Sequence, residues 1–158
     1  MRTPFIPSPY ISTKLVKKRP KYWPKRKIVT GLKTRYTGLC HHTFHGHLHP
    51  VNHASIASRG DLIGSVDSGG HLAVRDIRNG QILSEVSLNC CAHSVNFDPT
   101  GEVVGVGLEN GAVELVELAT IRRNHFLEHQ SSVNCVQFDG TGDMIASCSA
   151  DGTVKIWN

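Results

Sequence analysis

Six of the ten histidines in the sequence fall within residues 41–53, at His41, His42, His45, His47, His49 and His53. Imidazole is a common metal ligand, and in an extended segment His45, His47 and His49 would project from one face, because strand side chains alternate. The chemistry to test is a zinc centre, which needs about four ligands converging tetrahedrally. No Asp, Glu or Cys-x-x-Cys pair accompanies these histidines. Histidines with packing and hydrogen-bonding duties are therefore the expectation, with no metal and no cofactor.

Other reactive residue types are equally weak as catalytic signals. The five cysteines, Cys40, Cys90, Cys91, Cys135 and Cys148, form an odd set with no Cys-x-x-Cys spacing, which suits a reducing compartment better than a disulfide framework. The adjacent Cys90 and Cys91 precede a strand, a pattern of core rather than redox chemistry. Gly105-Val106-Gly107 lies inside a strand pattern with no helix after it, so a helix N-terminus that could hold a phosphate is missing. No nucleophile elbow, P-loop or paired-carboxylate motif occurs. No enzymatic activity is expected.

Charge divides the chain. Residues 1–60 carry 12 Lys and Arg and no acid, whereas residues 61–158 carry 5 Lys and Arg against all 13 acids, net +12 and −8. Residues 1–34 also hold five of the seven prolines, with Tyr10, Tyr22 and Trp23 among the cations. Such a composition cannot bury a core, so residues 1–35 read as a disordered basic leader and residues 36–158 as the folded part. Lys17, Lys18, Arg19, Lys21, Lys25, Arg26 and Lys27 form a candidate arm for a polyanion, either a nucleic acid or the acidic surface of a microtubule. A solvated tail, a nuclear-localisation-like run or a mis-joined gene start are the plainer readings. No stretch approaches the roughly 18 apolar residues of a membrane helix, and the start does not read as a signal peptide. A soluble, cytoplasmic protein with no membrane partner is the default.

The elements that position these residues come from a repeat. Gly60-Asp61, Gly101-Glu102 and Gly142-Asp143 are spaced by 41 residues. The same offset aligns Ile56, Phe97 and Phe138; Ile63, Val104 and Ile145; Gly70, Gly111 and Gly152; and Leu72, Val113 and Val154. Within each unit apolar residues alternate between turn signals, the pattern of short antiparallel strands. In the third unit Val133–Phe138, Met144–Cys148 and Thr153–Trp157 are the expected strands, with Asp151-Gly152 at a tight hairpin. A further strand such as Gln81–Val86 follows each third strand, and Leu39–Phe44 reads as the fourth strand of a preceding unit.

These units resemble WD repeats, each one blade of a β-propeller. Gly46-His47 and Glu128-His129 match the Gly-His position, and Trp157-Asn158 the Trp-Asp position, with Arg75-Asp76 and Val116-Glu117 degenerate. The resemblance implies an all-β fold, a partial propeller of about three blades of four-stranded antiparallel sheets, with units near 46–88, 89–130 and 131–158. It also implies a buried brace of His129, Ser147, Asp151 and Trp157. The first unit keeps His47 and Ser65 but has Gly69 and Arg75 at the other two positions; the second has Leu88, Val106, Asn110 and Val116 and must rely on apolar packing.

A narrower resemblance covers residues 36–158. Thr37-Gly38-Leu39-Cys40, Thr43-Phe44-His45-Gly46-His47-Leu48-His49, Asn52-His53-Ala54 and Phe97-Asp98-Pro99-Thr100-Gly101 are similar to the last blades of the sperm-associated antigen sixteen family, WD-repeat proteins of the ciliary central apparatus. It implies a non-catalytic scaffold that binds other proteins in the axoneme of motile cilia and flagella. Glu102, Glu109, Glu114 and Glu117 would present a negative surface to a basic partner. The competing classes are a nucleic-acid-binding protein acting through the basic arm and a general WD-repeat adaptor. The repeat count leads to one more expectation: the chain is the C-terminal part of a larger propeller or completes one with another chain, Ile28–Thr30 or Ile11–Val16 being the segments that could supply a missing strand.

Overall fold

The computed structural model describes residues 38–158. The leader 1–35, its expected disorder and the arm Lys17–Lys27 lie outside the described residues. Those described form three antiparallel sheets and no helix. The first sheet holds β1 (Val51–Ile56), β2 (Leu62–Asp67), β3 (His71–Asp76) and β4 (Ile82–Ser87) in that spatial order. The second holds β5 (Ala92–Phe97), β6 (Val103–Leu108), β7 (Ala112–Glu117) and β8 (Arg123–Leu127). The third holds β9 (Val133–Phe138), β10 (Ile145–Ser149) and β11 (Val154–Trp157).

Sequential hairpins make each sheet, and the repeat stacks them: β5 packs on β1 and β2, and β9 on β5 and β6. The aromatic column drives that contact. Phe97 lies over Gly64 and Phe138 over Gly105, so that a Cβ at either glycine would meet the ring edge at 3.1 Å. A Cβ at Gly107 would come 2.9 Å from the carbonyl oxygen of Val133. The glycines of Gly105-Val106-Gly107 thus allow the next sheet to approach.

Each sheet's first strand is an edge whose outward amides need partners, and the preceding sheet supplies them. Val95 N–H donates to His53 Nδ1 at 3.3 Å, and Val136 N–H to Ser94 Oγ at 2.9 Å. His53 and Ser94 stand 41 residues apart, at one repeat position. Phe138 N–H donates to Asn96 Oδ1 at 3.1 Å, and Asn52 Nδ2 donates to the Ala92 carbonyl at 2.8 Å.

Burial in a repeat column depends on its neighbours. Leu72 and Val113 are fully buried, whereas Val154 in the same column is 72% exposed. Phe97 is 6% exposed and Ile56 60%. Both end sheets show an apolar face; the middle sheet has both faces covered.

One expected strand is absent. Residues 38–50 form no strand, and most of them are exposed. A strand persists only in a ladder, and Cys40 bonds locally, to the His42 carbonyl, rather than into one.

The turn from third to fourth strand has the same geometry in two sheets and different residues. Gly80 N–H donates to the Asp76 carbonyl at 2.9 Å, and Ile121 N–H to the Glu117 carbonyl at 2.8 Å. Both occupy the left-handed region, with φ of 73° and 57°. Glycine enters it freely, while a β-branched residue is strained there. Ile121 is 43% exposed, so little burial offsets this strain. Ile121→Gly is expected to stabilise the fold by up to about 1 kcal/mol, the strain relieved less the entropy glycine adds to the unfolded chain. Urea unfolding checks this; a lower midpoint for the variant would show that the isoleucine side chain contributes packing the turn depends on.

Candidate functional site

The third sheet brings four candidate residues into one chain of hydrogen bonds. Trp157 Nε1–H donates to Ser147 Oγ at 2.9 Å, Ser147 Oγ lies 2.8 Å from His129 Nε2, and His129 Nδ1 lies 2.9 Å from Asp151 Oδ2. With the indole proton filling one lone pair of Ser147, the hydroxyl proton has His129 Nε2 as its acceptor. His129 is then the Nδ1–H tautomer that donates to Asp151. Asp151 also accepts from Gln130 N–H at 2.9 Å and from Thr153 N–H and Oγ1 at 2.9 and 2.7 Å. One carboxylate therefore ties the loop before β9 to the β10–β11 hairpin.

Ser, His and Asp in this order of contact are also the parts of an acyl-transfer triad. The environment denies them that chemistry. Ser147 is 1% exposed and His129 4%, and an indole occupies the oxygen that would attack. Sealed from water and substrate, the same network acts as a strut.

The first sheet corrects the expected residues. Gly69 stands where the third unit has Asp151, yet the carboxylate is supplied by Asp67. His47 Nδ1 lies 2.7 Å from Asp67 Oδ2, and His47 Nε2 lies 2.7 Å from Ser65 Oγ. Asp67 Oδ1 accepts from the amides of Gly69 and His71, each at 2.9 Å. The carboxylate reaches the same histidine from two residues earlier in the chain. The space at Gly69 is taken by the His49 ring, which would lie 2.1 Å from a Cβ there. Arg75, at the tryptophan position, is 7% exposed with its guanidinium beside Gly46.

The histidine cluster is thus dispersed among separate duties. His47 belongs to the brace, His49 covers Gly69, His53 accepts from Val95, and His41, His42 and His45 are exposed. His47, Asp67 and His71 place one possible ligand atom each within 4.8 Å. Both His47 nitrogens and both Asp67 oxygens are engaged there, so a cation would have to break the brace, and the donor set does not fit one.

In the second sheet Leu88, Val106 and Val116 are buried, while Asn110 is exposed and accepts from Ala112 N–H at 3.1 Å. Apolar packing fills the place of the brace. The four acids expected on one surface divide. Glu102 and Glu109 are exposed and Glu117 half-buried. Glu114 is only 4% exposed and is no part of that surface: it pairs with Arg123 Nε, while Arg123 Nη1 donates to the Ser87 carbonyl at 3.1 Å. A carboxylate on the inner pattern of β7 needs such a partner. Its bond holds Arg123 above its usual range.

Glu102 and Glu117 instead edge a groove of about 400 Å³ between the first and second sheets, with Leu62, Leu83 and Leu118 among its apolar lining. Ser84 lines it too; Ser84 is 6% exposed, and its Oγ is buried without a hydrogen-bond partner among the described residues. The groove, Asp67 and the Glu114–Arg123 pair were missed in the sequence. For Asp67 a signal existed, an acid at the end of an apolar strand just before Ser68-Gly69-Gly70.

Stacked antiparallel sheets, the first and third with a His–Ser–Asp brace, define consecutive blades of a WD-type β-propeller, and residues 121–158 match the family described as WD domain, G-beta repeat. Residues 121–158 thus match a WD repeat, and the three sheets together have the fold of a partial propeller. A stretch of 33 residues is 61% identical to WD40 repeat-containing protein HOS15 of Arabidopsis thaliana, covering 21% of this chain and 5% of that protein. Pre-mRNA-processing factor 19 of Dictyostelium discoideum is 28% identical over 138 residues, 85% of this chain and 25% of that protein. The solved structure of U3-55K superposes with a TM-score of 0.69 at 16% identity, over 73% of this chain and 38% of that one, a likeness of fold alone. The chain thus spans a quarter or less of the length of these two relatives.

Two predictions follow from the brace. Asp67→Ala strands His47 Nδ1 and two backbone amides and is expected to destabilise the fold by roughly 1–3 kcal/mol in urea unfolding, against a change within about 0.5 kcal/mol for the exposed Asp143→Ala. Equal effects would mean that Asp67 is not a structural carboxylate.

The second concerns acid. The Thr141 hydroxyl and the Met144 and Gly142 amides hold Asp139 down from 3.8 to about 2. Thr153 and the Gln130 amide hold Asp151 lower still. Burial works against Asp67 ionising, but the His71 amide and His47 outweigh it and leave its value below 3.8. For carboxylates depressed in the folded state the stabilisation is present above the unfolded value and fades as pH falls toward the folded one. Stability is therefore expected to hold from pH 7 to about 5 and to fall between about pH 4 and 2, with Asp139→Asn shrinking the fall. A flat profile down to pH 2 would show that these carboxylates do not stabilise the fold.

Proposed function

We propose that the chain is a non-catalytic scaffold for protein–protein interaction and serves as a structural component of the central apparatus in motile cilia and flagella. The observation that carries the scaffold reading is the seam between sheets, where aromatic–glycine packing and side-chain-to-amide bonds join each blade to the next. A support of this kind holds its loops in fixed positions, and loops held by a rigid frame make specific contacts at low ordering cost. Glu102, Glu109 and Glu117 add a negative field that favours a basic partner. The ciliary assignment rests on the Gly46-His47-Leu48-His49 and Asn52-His53-Ala54 strings and on the similar blades of the sperm-associated antigen sixteen family.

A general adaptor is the second reading. It is favoured by the diversity of similar proteins, among them apoptotic protease-activating factor 1 of Homo sapiens, 32% identical over 101 residues and 8% of that protein, and protein groucho of Drosophila melanogaster, 24% identical over 114 residues and 16% of it. Tagged chain expressed in ciliated cells separates the two. It is expected to remain with axonemes after detergent and salt extraction and to stay there when residues 1–34 are removed. Recovery wholly in the soluble fraction would sink the ciliary assignment and leave the adaptor. Salt-sensitive RNA or DNA binding lost with residues 1–34 would instead place the activity in the basic arm.

A further inference from the structure

From the groove between the first and second sheets we infer a docking site for an extended segment of another protein in which a Lys or Arg stands beside an apolar residue. The inference rests on the scaffold reading and narrows it to one surface and one partner chemistry.

Three observations converge there. Leu62, Leu83 and Leu118 give the groove an apolar lining that reaches the surface, Leu83 being 54% exposed. A pocket of about 400 Å³ suits two or three side chains. Glu102 and Glu117 stand at its edge. Glu102 has no ion-pair or hydrogen-bond partner for its carboxylate among the described residues, and Glu117 engages Thr120 through one oxygen. Four of the five cations of residues 61–158 are held elsewhere: Arg78 by Asp76, Arg123 by Glu114, Lys155 by Glu128, and Arg75 buried against Gly46; Arg122, in the turn after Glu117, is exposed and forms no ion pair among the described residues. Neither Glu102 nor Glu117 is ion-paired among the described residues, so the edge of the groove favours a cation over a nucleic acid or an anionic lipid surface.

The third observation is Ser84. Buried hydroxyls are almost always hydrogen-bonded, yet Ser84 Oγ has no partner among the described residues. It sits on β4 opposite Val74, both of them lining the groove. A peptide laid between the blades would bring a backbone N–H or C=O to this hydroxyl. Its apolar side chain would rest on the three leucines and its ammonium or guanidinium would reach Glu102 and Glu117. Backbone recognition beside alternating side-chain contacts is how extended peptides are held on sheets.

The full chain is titrated into three fluorescein-labelled decapeptides read by anisotropy: one alternating Leu with Lys, one alternating Leu with Glu, and one alternating Ser with Lys. The Leu/Lys peptide is expected to bind saturably and the other two at least about tenfold more weakly. Against that peptide, the E102Q/E117Q pair and, separately, Leu83→Gln are each expected to lose about tenfold, while Glu109→Gln binds unchanged. Matched melting curves confirm that each variant is folded, all four positions being exposed or only half-buried. Equal loss with Glu109→Gln, or equal binding of the Ser/Lys peptide, would overturn the proposal in favour of unspecific charge attraction. Binding that emerges only after residues 1–34 are removed would overturn a partner's occupancy in favour of the chain's own basic segment. If the peptides fail to bind while the chain stays with axonemes, the groove falls and the scaffold stands; the opposite pair of results removes the ciliary assignment alone.

Discussion

The structure depends on how one sheet meets the next. A sheet of three or four short strands cannot bury both faces itself, and its first strand leaves a row of amides unpaired. The repeat solves both problems at the same positions of the unit. Phe97 and Phe138 fill the hollow that Gly64 and Gly105 leave, and His53 and Ser94 accept the amides of Val95 and Val136. Packing and hydrogen bonding are coupled at this seam: the rings seat only if the strands approach, and the approach brings the amides to their acceptors.

The brace is the more variable part. The third sheet has the full chain from Trp157 to Asp151, the first reaches the same histidine arrangement with a carboxylate drawn from another position, and the second replaces the network with Leu88, Val106 and Val116. All three form the same first three strands in the same order. Strand pairing within a sheet is therefore compatible with very different interiors, whereas the phenylalanine-over-glycine contact of the seam recurs. A buried polar network specifies geometry only when all its members are satisfied, and an apolar interior of the same shape is a physical equivalent. This is why departures from the motif in the middle unit leave the fold intact.

The 41-residue period made the strand order, the hairpins and the core columns legible in the sequence, because alternation and turn chemistry are local. The brace of the third unit was legible for the same reason, each of its members keeping its column. What failed was whatever depended on a neighbour. Asp67 replaces Gly69 by reaching across the turn, which column matching cannot detect. Glu114 looks like a surface acid beside Glu117 until Arg123, on the next strand, closes over it. Residues 39–44 occupy the place of a fourth strand in the repeat yet form no strand. Val154 and Val113 share a column and differ from 72% to 0% exposure, since a sequence column carries the side chain and not the sheet that covers it.

The same reasoning changes what the net −8 of residues 61–158 means. Asp67, Asp98, Asp139 and Asp151 spend their charge on backbone amides and hydroxyls at turns, where held ionisation stabilises the chain's own geometry. Asp76, Glu114 and Glu128 face arginine or lysine. An acid already paired contributes little field at a distance, since its partner cancels it within a Debye length. The attraction available to a partner therefore comes from a few side chains that the fold leaves unengaged. Glu102 and Glu117 are two that stand at the edge of an apolar hollow with an unsatisfied hydroxyl in its wall. A uniformly acidic face would select a basic partner by charge alone. Two carboxylates beside three leucines select by the spacing of charge against apolar surface, and spacing is what a rigid pair of blades can hold constant.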